Sequence, residues 1–179
     1  MKATVTLFAI LAALSLSACK ESVTTVETSE ETVAPDSALE RFFTEEAIPE
    51  AQAIHIARKT AKPGEEISLK GALIGREKIF VDGRASFILG DPEKLTSCDK
   101  MPDDHCATPW DACCDSKELK KIGVVSIQIL GEDGRVLSGN LKGTKGMKEL
   151  SSITLTGTVD QSSTADNLVV NATKIHVVD

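Results

Sequence analysis

The chain has 179 residues, with 27 acidic against 20 basic side chains, five phenylalanines, one tryptophan and no tyrosine. That length suits one domain with a single core better than two. A net charge of −7 repels phosphate backbones, and so few aromatics leave little for bases to stack on, so both features argue against nucleic acid as a partner.

The N-terminus reads as an export signal over residues 1–18. Lys2 supplies the basic start, residues 5–16 are apolar, and Ser17 and Ala18 are the small residues before a cleavage point. The apolar run is shorter than the ~18–20 residues a membrane span needs. Leu16-Ser17-Ala18-Cys19 resembles a bacterial lipobox. That resemblance implies lipidation of Cys19, which becomes the new N-terminus and holds the protein to a membrane through more than one acyl chain. Lys20 follows, not Asp, which by the same resemblance implies the periplasmic face of the outer membrane over retention at the inner one. Cleavage also removes Lys2 and Phe8, leaving the mature chain more acidic and poorer in aromatics.

Residues 19–37 are rich in Ser, Thr and Glu, lack a sustained apolar period and carry Pro35. Such a segment has little to bury, so it is expected to be a disordered tether. Residues 38–60 are expected to be helical. Ala38, Leu39, Phe42 and Phe43 recur at three-to-four spacing, and Pro49 suits a first helical position from which a second helix would run through Ile54 and Arg58. Its apolar face is expected to pack on the domain, with a partner helix as the alternative.

From Glu66 the period changes to two. Ile67, Leu69, Gly71 and Leu73 form the first alternating set, and Ala85, Phe87 and Leu89 the second. Val125, Ile127 and Ile129 make the third, and Ile153, Leu155, Gly157 and Val159 the fourth. Leu168, Val170 and Ala172 make the fifth, which shifts phase before Ile175 and Val177. Alternation predicts half-buried strands, and the phase shift predicts a bulge. Asp82-Gly83 and Asp133-Gly134 supply turns. Between the third and fourth strands, residues 144–150 predict a short helix with Met147 and Leu150 on one face. Mid-strand Gly71 and Gly157 suit strands that coil sharply.

This order, over residues 61–179, resembles the OB-fold, a five-stranded Greek-key barrel. The fold class expected is therefore mainly β: a small OB-like barrel with an N-terminal helix, a short helix between strands three and four, and a Cys-rich insertion between strands two and three. A small β-sandwich is the alternative.

That insertion, residues 91–121, holds Cys98, Cys106, Cys113 and Cys114, together with His105 and Trp110. A long loop without regular structure is often functional. Thr108-Pro109-Trp110-Asp111-Ala112-Cys113-Cys114 resembles a segment of exported planctomycete-type proteins, a family whose activity is not assigned; the resemblance implies address and fold only. Three readings of the cysteines compete. Export and an even count favour two disulfides stapling the loop, with three pairings open. A soft-metal site would use Cys98, His105, Cys106, Cys113 and Cys114, although the spacing lacks paired Cys-x2-Cys knuckles and adjacent cysteines chelate one ion poorly. Thiol redox work is disfavoured by acidic surroundings and the lack of Cys-x-x-Cys. Asp99, Asp103, Asp104 and Asp111 form a solvated acidic loop, with a hard cation as the alternative. Trp110 is expected to plug the loop; exposed, it and His105 would be binding-surface candidates.

His55, His105 and His176 form no readable catalytic arrangement, and Glu45-Glu46 and Glu65-Glu66 read as solvated pairs. No enzyme and no cofactor are expected. The reading is a non-enzymatic lipoprotein that binds a small ligand, peptide or envelope partner, with metal binding or thiol redox work as the alternative, and nucleic-acid binding by OB-fold analogy as a third that the charge disfavours.

Overall fold

The computed structural model describes residues 37–101 and 105–178, so the export signal, Cys19 and all but the last residue of the tether lie outside the described residues. No helix among the described residues is long and apolar enough to cross a membrane.

The five alternating runs are strands, here β2 (Glu66–Ala72), β3 (Ser86–Gly90), β4 (Val124–Gln128), β5 (Ser152–Val159) and β6 (Val169–Val178). They close a barrel in the order β2-β3-β4-β6-β5, with β5 returning to pair with β2. All neighbours are antiparallel except β4 and β6, which are parallel. A sixth short strand, β1 (Gln52–Ala53), lies parallel to β2 at Leu69 and Lys70. Closure leaves few unpaired edges, the usual hazard of a small sheet.

Period-two burial follows. Along β5, Ile153, Leu155 and Val159 are buried while Thr154, Thr156 and Thr158 between them are partly exposed. These residues meet Leu69, Phe87, Leu89, Ile127, Val170 and Ile175 in one core. The glycines do what the alternation required. A Cβ on Gly71 would stand 2.6 Å from the Gly90 carbonyl oxygen, and one on Gly157 2.5 Å from that of Asn171, so only glycine lets the strands pass. The phase shift in β6 is a bulge: Thr156 faces Lys174 but Gly157 faces Ala172, leaving Thr173 unpaired in the ladder.

The helical expectations need correction. Residues 38–60 hold two single-turn helices, α1 (Ser37–Glu40) and α2 (Ile54–Ala57), separated by β1. Pro49 starts no helix; Glu50 beside it has φ 56°, a left-handed geometry that stops helical propagation. The apolar face is real, since Leu39, Ile54 and Ala57 join the barrel core. Residues 144–150 contain only a 3₁₀ turn, Thr144–Gly146. Gly143, Lys145, Gly146 and Leu150 all have positive φ, so no α-helix can run through them. Met147 is nevertheless fully buried, whereas Leu150 is exposed.

Nor is the insertion structureless. It holds a 3₁₀ turn, Cys98–Lys100, and a helix α3 (Lys117–Gly123) whose cap Ser116 accepts a hydrogen bond from the Leu119 N–H. Its two ends meet, because Gly90 pairs with Val124 and the Asp91 N–H donates to the Gly123 carbonyl at 2.8 Å. The insertion is thus the connection of the β3–β4 hairpin.

Candidate functional site

The insertion packs on the barrel through a small second core, in which its Leu95 and Ala112 meet Ile74 and Val124, and against which Trp110 and Leu119 pack. Its two arms are laced together by backbone bonds, Cys98 N–H to Asp111 C=O and Asp99 N–H to Pro109 C=O, both 2.9 Å. The Asp115 carboxylate accepts from the Thr96 N–H at 2.8 Å. These bonds bring Cys98 on one arm opposite Cys113 on the other.

Trp110, half-buried, packs against both the barrel core and the smaller core beside it. Its indole N–H donates to the Glu77 carbonyl at 2.8 Å, and its own carbonyl accepts from the Gly75 N–H at 2.9 Å. The indole donor is therefore committed to the Glu77 carbonyl, while the ring stays half-buried.

The four sulfurs gather but stand at thiol separations. Cys98 Sγ lies 3.5 Å from Cys113 Sγ, Cys106 Sγ lies 3.9 Å from Cys113 Sγ, and Cys114 Sγ lies 3.8 Å from Cys113 Sγ. A disulfide needs about 2.05 Å, and none of the four is disulfide-bonded. Cys98, Cys106 and Cys113 have all three sulfurs within 4.8 Å of one another; neither Cys114 nor His105 belongs to that group. Burial is graded: Cys98 is buried, Cys106 half-buried, and Cys113 and Cys114 exposed.

The thiols lie within hydrogen-bonding reach of one another. Hydrogen bonds from Cys98, then from the Thr108 backbone and Cys113, hold the Cys106 thiol below its ordinary pKa. At Cys113 the Cys98 contact lowers the pKa, but Cys114 and Cys106 together outweigh it and raise it. One proton can thus leave the cluster more readily than the next. Lys120 Nζ donates to the Cys113 carbonyl at 3.2 Å, placing one positive charge beside this acidic loop.

The acidic alternative is not assembled among the described residues. Asp111 spends one oxygen on the Ala112 N–H, neither it nor Asp99 joins a cluster, and Asp103 and Asp104 lie outside the described residues. A shallow hollow of about 760 Å³ next to the insertion is lined by Arg76, Lys78, Phe80, Val81, Asp111 and Lys120.

A second arrangement was not readable from the chain. His55 Nδ1 lies 2.7 Å from Asp91 Oδ2, and Asp91 is completely buried. The same oxygen accepts from the His55 N–H at 2.9 Å, and Oδ1 accepts from the Glu93 N–H at 2.9 Å. His176, on β6, meets the Thr44 carbonyl at 3.1 Å. Among the described residues, the His55 ring meets a carboxylate and the His176 ring a backbone carbonyl.

Comparison with family models, with curated proteins and with solved structures finds no match to this chain.

Proposed function

We propose that the protein is an exported, lipid-anchored and non-enzymatic binding module whose OB-like barrel carries a thiolate site for a soft metal ion. The observation that carries this reading is the sulfur triad. A metal about 2.3 Å from each of three thiolates places the sulfurs about 3.8–4.0 Å apart, and the two separations involving Cys113 are 3.5 and 3.9 Å. All-sulfur donors select Cu⁺ or Zn²⁺ over hard cations. The objection that adjacent cysteines chelate poorly loses its force, because Cys113 alone of the pair belongs to the triad. The strand order, with β4 parallel to β6 and β5 closing on β2, supports the OB-like reading.

The deciding experiment purifies the full chain under reducing, oxygen-free conditions and measures metal per chain beside intact mass. About one soft metal ion per chain is expected, its binding weakened about a hundredfold or more by Cys98→Ser or Cys106→Ser, with four titratable thiols after metal removal from the chain lipidated at Cys19. A metal-free chain lighter by four protons, meaning two disulfides, would sink the metal reading in favour of a stapled loop that presents a binding surface. Lipid attachment is tested separately: labelled fatty acid should enter the wild-type chain and not Cys19→Ser.

A further inference from the structure

Resting on the metal reading above, we infer that the ion is monovalent copper held by Cys98, Cys106 and Cys113, and that Cys114 is an exchange ligand through which the copper enters and leaves. Zinc in structural sites takes four protein ligands, and on three it needs a water to complete its tetrahedron. Here three sulfurs form a mutual group, and no nitrogen or carboxylate among the described residues joins it. Three soft donors suit Cu⁺, which does not demand a fourth.

The burial gradient gives the direction of traffic. Cys98 is the inner ligand, and Cys113 and Cys114 face solvent. Cys114 lies 3.8 Å from Cys113, one ligand-to-ligand step away, yet outside the triad. Exit then has a defined first move. The bond from Cu⁺ to Cys98 Sγ breaks as one to Cys114 Sγ forms; the Cys114 proton passes to Cys98, and copper remains monovalent. The ion is now bound by Cys106, Cys113 and Cys114, at the exposed rim, where an external thiolate or thioether can take it. No oxidant or reductant is consumed. A purely structural site has no use for an exposed fourth sulfur beside a complete ligand set.

The test loads the full chain with Cu⁺ without oxygen and follows removal by bathocuproine disulfonate, with Zn²⁺ competition in parallel. Cys114→Ser should keep one Cu⁺ per chain at an affinity within about threefold of wild type while slowing copper removal about tenfold. Cys106→Ser should instead weaken binding about a hundredfold or more, as loss of a direct ligand does. Circular dichroism confirms that both variants keep the barrel. If Cys114→Ser weakens binding as much as Cys106→Ser, Cys114 is a permanent ligand and the exchange role is wrong. If Zn²⁺ displaces Cu⁺ at equal concentration, the copper assignment fails while the soft-metal reading stands. If neither ion binds, both fall.

Discussion

Asp91 shows how much one side chain can carry without announcing itself. Its carboxylate has no exposed surface and accepts from two backbone N–H groups and the His55 ring. Removing it leaves three donors without their acceptor, each costly to strand. Asp91→Ala should therefore lower unfolding stability by about 2–4 kcal/mol in urea titration, whereas His55→Ala should cost clearly less. The pair was illegible in the sequence because its members are 36 positions apart and meet only when α2 docks beside the neck of the insertion. Asp160 makes a pH prediction. Ser162 hydroxyl and backbone donors, then Asn171, hold its carboxyl below the usual value of 3.8. The folded state thus binds its proton less readily than the unfolded state. The stabilisation is complete above that ordinary value and is lost as pH falls through the depressed one. Asp160→Asn should lower stability in the neutral region, flatten the acid limb between about pH 4 and 2, and converge with wild type below it, as read by thermal unfolding across pH.

At the scale of elements, strands were legible and helices were not, for a physical reason. Each barrel strand buries alternate residues, so Ile153, Leu155 and Val159 write their own period into the chain. Even the Thr173 bulge left a phase shift that could be read. The helices among the described residues are one or two turns long, too short for a 3.6 period to show, and packing decides them. Lys145, with φ 49°, looks like an ordinary helix former in sequence and breaks the turn it sits in. The α3 helix had a readable cap, Ser116, before Lys117-Glu118-Leu119, but the cysteines around it drew the reading toward a loop. Gly157 tests the strand argument. Gly157→Ala pushes a methyl group against backbone that cannot yield cheaply, and should cost about 1–3 kcal/mol in chemical denaturation.

Over the whole molecule, two cores divide the labour. The barrel core is large and holds nearly all the buried aliphatic side chains, while the insertion relies on Ile74, Leu95, Ala112 and Val124. Metal bound by the cysteines would therefore stiffen the insertion and leave the barrel almost untouched. Hydrogen exchange should show slower amides over residues 96–116 on metal loading, with β5 and β6 unchanged. The gathering of sulfurs could not be read from spacing alone. It depends on the Cys98–Asp111 and Asp99–Pro109 backbone bonds that fold the loop back on itself.

Because the insertion leaves at Asp91 and returns at Gly123 across a single 2.8 Å hydrogen bond, its doorway is no wider than an ordinary hairpin turn. The neck is narrow but the seam behind it is not: Trp110 bonds to Glu77 and Gly75, and Ile74 and Val124 of the barrel are covered by Leu95 and Ala112 of the excursion. A shorter turn grafted at the same neck would uncover those two barrel side chains, so barrel and appendage are bound to change together.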